Sequence, residues 1–110
     1  AGSGATPAAV DGVEPSMVVA ERVRRAWERQ LERQGSANGE LRVAPHEPIL
    51  GAAPGVLDRL ERRGRRFKLA PRRLHRAMRI ARTIADLDGR DAITGPDVDE
   101  ALLYRPELAA

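Results

Sequence analysis

The chain has 110 residues, which suits one domain and leaves little room for a second. Its aromatic residues are Trp27, Phe67 and Tyr104 alone, so the core has to be built from Leu, Val, Ile, Ala and Met, which favours packed helices over a β-sandwich. The formal net charge is +3, and the absence of Cys excludes disulfide frameworks, thiolate zinc sites and Cys nucleophiles.

Residues 1–14 are rich in Gly, Ala and Pro without a periodic apolar pattern, and read as a flexible leader or linker. They show no signal-peptide pattern, and no run in the chain is long enough to span a bilayer, so the expected location is cytoplasmic and no membrane partner is expected. A first helix is predicted from an N-cap near Ser16, after Pro15, to about Gln34. Val19, Val23, Trp27 and Leu31 recur at helical spacing and form its expected buried stripe, with Ala20 and Ala26 beside them. Arg and Glu occupy the other face at spacings that allow pairs such as Glu21–Arg25 and Arg24–Glu28. Gly35 to Gly39 is a turn, and residues 40–53, with Pro45 and Pro48, are expected to form an ordered loop. Pro54 is placed as the first residue of a second helix that carries Val56, Leu57 and Leu60 and weakens at Gly64, with Phe67 and Leu69 anchoring the connection after it.

The third helix has the clearest pattern. Pro71 marks its first turn, and Leu74, Ala77, Met78, Ala81, Ile84, Ala85 and Leu87 repeat at the helical period before Gly89 ends it. A fourth helix opens at Thr94 with Asp97 three residues on, as in a capping box, buries Val98, Ala101 and Leu102, and stops at Pro106. Four helices joined by turns predict an all-α fold, a small orthogonal four-helix bundle.

Charge is segregated along the chain. The segment from Arg59 to Arg82 holds eleven basic residues and one acid, whereas residues 83–110 hold two basic and seven acidic groups. Such asymmetry suits a polyanion site, a contact between subunits or a solvated helix face. The chain lacks a GxxxxGK[ST] phosphate loop and an HExxH metal motif. His46 and His75 stand far apart without a nucleophile nearby, and Asp86, Asp88 and Asp91 around Gly89 lack the remaining ligands of a calcium loop, so none of these is read as a site.

The segment from Arg79 to Leu87 (RIARTIADL), Gly89 and the segment from Glu100 to Arg105 (EALLYR) carry a resemblance. Together with Arg22–Arg33 (RVRRAWERQLER) they resemble the C-terminal domain of the magnesium-chelatase-like AAA+ ATPases, whose ComM-like branch includes a bacterial competence protein. The resemblance covers about residues 16–106. It implies a helical AAA+ lid over residues 15–106, with 107–110 as a tail, closing over a nucleotide held by a separate α/β core. No catalytic residue is expected in the lid itself.

In that family an arginine at the start of the third lid helix, called sensor 2, reaches the γ-phosphate. Arg72 stands at that position, with Arg73 as the alternative if the register shifts by one. Arg76 and Arg79 extend a basic stripe from it toward a polyanion or a neighbouring subunit, and Arg82 is read as structural, paired with an acid such as Asp86. Where the family has Ser, this chain has Ala70, which removes an N-cap hydroxyl. Trp27 replaces a residue that is often Arg, and is placed in the core.

The resemblance further implies ATP and Mg2+ in the parent, none bound by the isolated domain, and partners in the AAA+ core of the same polypeptide and in neighbouring subunits of a hexameric ring. DNA would be the substrate if the parent is a branch-migration helicase. The alternatives are the lid of a true magnesium chelatase subunit, a stand-alone DNA-binding helical module, and a protein-interaction domain.

Overall fold

The computed structural model describes residues 15–104; the expected leader (1–14), the stop at Pro106 and the tail (107–110) lie outside them. Among the described residues there are four α-helices: α1 (Pro15–Gln34), α2 (Val56–Arg66), α3 (Pro71–Leu87) and α4 (Gly95–Leu103). Short 3-10 turns at Asn38–Glu40 and Pro48–Leu50 shape the long α1–α2 connection. No helix among the described residues is long and apolar enough to cross a membrane.

The core forms where α2, α3 and α4 meet. Val56 and Leu60 from α2, Ala77, Met78, Ala81 and Ala85 from α3, and Val98 and Ala101 from α4 make one cluster, joined by Leu41, Leu50 and Ile93 from the connections. The small residues of α3 allow α4 to approach closely, and this is the most extensive helix pair. Close approach also explains Gly64. The helix does not weaken there; a Cβ at this position would lie 2.9 Å from Leu74 Cδ1, so its absence lets α3 pack on α2.

Two helix starts differ from expectation. α1 already includes Pro15, so Ser16 lies within the helix and is not its N-cap. Pro54 precedes α2: Pro54 and Gly55 form a tight turn in which the Val56 N–H donates to the Ala53 carbonyl at 3.1 Å, and Gly55 takes φ 86°. The α4 start agrees, since the Thr94 N–H and Oγ1 both donate to Asp97 Oδ2, at 2.8 and 3.0 Å. Burial alone would raise the Asp97 carboxyl, but hydrogen bonds from Arg90 and Thr94 outweigh it and hold the group below the usual carboxylate range.

The largest departure is the roll of α1. Val19, Val23, Trp27 and Leu31 are between 41% and 54% exposed, so the predicted core stripe faces outward and Trp27 is not a core aromatic. The buried residues of this helix are Ala26 and Gln30. Its attachment is polar. Arg33 Nη1 and Nη2 donate to the buried Asp86 carboxylate at 2.9 and 3.1 Å. The Asn38 amide donates to Asp86 Oδ2 at 2.9 Å, and the Asn38 backbone N–H donates to Gln30 Oε1 at 2.9 Å. Rolling the apolar stripe inward would strand these buried groups, and each unsatisfied one costs about 1–3 kcal/mol. The outer charges pair as the spacing implies, with Glu21 on Arg24 and Arg25, and Glu28 on Arg24.

Candidate functional site: an arginine-lined groove at the start of α3

The α2–α3 connection sets the geometry. The Lys68 N–H donates to the Arg65 carbonyl at 3.3 Å and the Leu69 N–H to the Gly64 carbonyl at 2.9 Å, the paired bonds of a Schellman helix end. Lys68 takes φ 53° in the left-handed region, a conformation that usually selects Gly. Ala70 then caps α3 in an extended conformation without a side-chain hydrogen bond, and Pro71 fixes the first turn.

This turn opens a groove of about 570 Å³ lined by Lys68, Leu69, Ala70, Arg72, Arg73, Arg76 and Arg79. The four arginines predicted as candidates therefore share one concave surface. They differ in setting. Arg72 is exposed and borders this groove alone, whereas Arg73 is partly buried and also lines the hollows toward Phe67 and Leu103 and toward Ile80 and Tyr104.

None of the four forms an ion pair among the described residues; the paired cations on α2, α3 and the following loop are Arg59, Arg62, Arg63, Arg82 and Arg90. The basic run thus splits into a neutralised part and an unpaired part. Arg59 Nε donates to Asp99 Oδ1 at 3.0 Å and ties α2 to α4, holding the Asp99 carboxyl below its ordinary range. Arg79 carries the opposite perturbation: burial first, then the charges of Arg42 and Arg76, lower its guanidinium.

Arg82 lies outside the groove, in the core, at 1% exposure. Its Nη1 donates to the carbonyls of Leu50 and Asp91 at 2.9 and 2.8 Å, and its Nη2 donates to the Arg90 carbonyl at 2.7 Å. The expected ion pair with Asp86 is present at 3.1 Å. One guanidinium therefore joins α3 to the loops before α2 and after α3. These loops also meet directly, with the Ile93 N–H donating to Gly51 O at 2.8 Å and the Ala53 N–H to Ile93 O at 2.9 Å. The most recognisable stretch of the sequence, around Arg82, builds the scaffold; the open arginines stand about one to three turns before Arg82.

Two cations at or near the groove escaped the sequence reading. Lys68 was one basic residue in a run, although its place between a helix end and Pro71 was a usable signal. Arg42, in a loop 37 residues from Arg79 in sequence, lies close enough for its charge to act on Arg79 and offered no such signal. His46 and His75 come from different elements, and among the described residues no group of three His, Cys, Asp or Glu side chains is placed to hold a metal ion.

Comparison with known proteins agrees with the helical architecture. The family model described as magnesium chelatase, subunit ChlI C-terminal, matches residues 13–105. Competence protein ComM of Haemophilus influenzae is 36% identical over 95 residues, covering 86% of this chain and 19% of that protein. The uncharacterized protein YifB of Escherichia coli is 35% identical over 92 residues, 84% of this chain and 18% of its own length. No solved structure matches. The chain thus spans about a fifth of the curated relatives it matches. From the four-helix architecture and a match along nearly all of its described length, the chain belongs to the magnesium chelatase ChlI C-terminal domain family.

Proposed function

We propose that this chain is the helical lid of a larger AAA+ ATPase and that Arg72 senses the γ-phosphate of the nucleotide bound by the parent's core domain. The observation that carries the reading is an exposed, unpaired guanidinium on the first turn of α3, inside an open basic groove. A helix N-terminus favours anions through its free N–H groups and its dipole, and a guanidinium there adds a planar fork of donors matched to phosphate oxygens. ATP and Mg2+ would be held chiefly by the core of the same polypeptide, and the lid would close as a rigid body and pass the state of the nucleotide to neighbouring subunits of a ring. Arg73 is the alternative sensor, since it lines the same groove.

For the parent we favour a ComM-like motor that drives DNA branch migration in the cytoplasm, because a competence protein matches over most of the chain. A magnesium chelatase subunit is the second reading, favoured by the description of the matching family.

The test is ATP hydrolysis by the intact parent. Arg72→Ala is expected to lower turnover by about 10³-fold while ATP binding and ring assembly persist. Arg73→Ala should have a much smaller effect. Wild-type turnover in Arg72→Ala, with normal assembly, removes Arg72 from the site. The chain by itself should hydrolyse no ATP, and turnover in a clean preparation would overturn the lid reading.

A further inference from the structure

The sensor reading uses the first turn of α3 and leaves the rest of the basic groove without a ligand. Helix rise places Arg76 about 6 Å and Arg79 about 10 Å farther along the axis than Arg72. Arg42, in the loop after the first 3-10 turn, does not line that groove but lies close enough to its far end for its charge to act on Arg79. Its Nη1 donates to the Gly39 and Leu41 carbonyls at 2.9 and 3.1 Å, which fixes the guanidinium and leaves its other donors open. The acid next to it in the loop, Glu40, accepts the Ala37 N–H at 3.4 Å. None of the three guanidinium groups has a carboxylate within ion-pair distance among the described residues, whereas five neighbouring arginines do.

Three like charges held together, one anchored by backbone carbonyls and one partly buried, repel each other until an anion lies between them. We propose that Arg42, Arg76 and Arg79 form a phosphodiester-binding site at which the backbone of a nucleic-acid strand crosses α3. A strand fits better than a second nucleotide, because the cations are spread over two turns beyond the proposed γ-phosphate position. No aromatic side chain lines the groove, so the contact is to phosphates without base stacking and carries little sequence preference. The site is a property of this chain and stands whether or not Arg72 is the nucleotide sensor.

The experiment is fluorescence anisotropy of a labelled mixed-sequence single strand titrated with the 110-residue chain over a range of salt. Three phosphate contacts predict that log K falls against log salt with a slope of about −2. The combined variant Arg42→Ala/Arg76→Ala/Arg79→Ala should bind about tenfold or more weakly and flatten the slope by about 2. Arg62→Ala/Arg65→Ala/Arg66→Ala removes the same charge from α2 and should stay within about threefold of wild type. Circular dichroism checks that each variant keeps its helices, and Arg42→Ala alone, outside every α-helix, should already weaken binding. No binding at about 50 mM salt would overturn the proposal, because phosphate contacts are strongest there. Equal weakening by the two triple variants would also overturn it, by showing attraction to net charge. So would loss of binding in Arg72→Ala as large as in the groove variant, which would assign the phosphate contact to the nucleotide end. The ATPase test of Arg72 is separate, so either proposal can fail alone.

Discussion

At the C-terminal half of α3, Arg82 is buried and its Nη groups are taken by three backbone carbonyls and Asp86, with Nε left unpartnered; about three turns earlier, Arg72 stands in solvent with no carboxylate partner among the described residues. Both come from one basic run on one helix, so residue type does not separate them. The difference lies in what the fold brings to each end. The C-terminal half meets two loops and α1, whose carbonyls and carboxylates need donors. The first turns of α3 border the ends of α2 and α4 and open solvent, and no carboxylate there pairs with Arg72 among the described residues. An arginine in the first setting holds the scaffold, and one in the second is free to bind.

The comparison breaks most easily at Arg82. Arg82→Ala should destabilise the domain by about 3–5 kcal/mol, because it leaves the carbonyls of Leu50, Arg90 and Asp91 without their donor and takes from the buried Asp86 one of its two arginine partners. Urea unfolding measures this, and a loss below about 1 kcal/mol would show that the loops do not depend on that guanidinium.

Acid should weaken the ion pairs that hold α4. The Asp97 and Asp99 carboxyls titrate below their ordinary value of 3.8 in the folded state, so the stability they add is complete above that pH and is lost as the pH falls through their folded-state values. Thermal unfolding should be nearly flat from about pH 7 to 5 and then fall, and Asp97→Asn should lower stability at neutral pH by about 1–2 kcal/mol while shrinking the acid decline. An unchanged acid decline in that variant would remove Asp97 as its source.

At the other end, α2 and α3 close with the same pair of terminal hydrogen bonds, but the left-handed residue is Lys68 after α2 and Gly89 after α3. Lys68→Gly is therefore expected to raise stability by about 1 kcal/mol while removing one cation from the groove. A destabilised Lys68→Gly would mean that the lysine stem packs against its surroundings. The smallest effect is expected at Arg72, where Ala should change stability by no more than about 0.5 kcal/mol, as for an exposed side chain outside any network. A larger loss would place Arg72 in the scaffold with Arg82.

Much of the fold was legible because it rests on local rules. The apolar period of α3 named its buried face, with Ala77, Met78, Ala81 and Ala85 in the core, and Thr94 with Asp97 marked the start of α4. The same rule misled at α1. Periodicity identifies a helix and an apolar stripe, but the buried bonds of Gln30, Arg33 and Asn38 decided which way that helix rolled. At the candidate site Arg72, Arg73, Arg76 and Arg79 could be named because they are close in sequence and at helical spacing, while Arg42 could not.

The sequence by itself determined the four helices, most of their ends, the missing catalytic motifs and a run of cations around the start of α3. Only the tertiary structure decided which of those cations are neutralised. Asp99 and the carbonyls of Leu50, Arg90 and Asp91 are brought to Arg59, Arg63 and Arg82 by packing, and nothing comparable reaches Arg72, Arg76 or Arg79 among the described residues. The physical reason is range: helix periodicity and capping act over three or four residues, whereas the partners that satisfy a buried charge come from wherever the chain folds back.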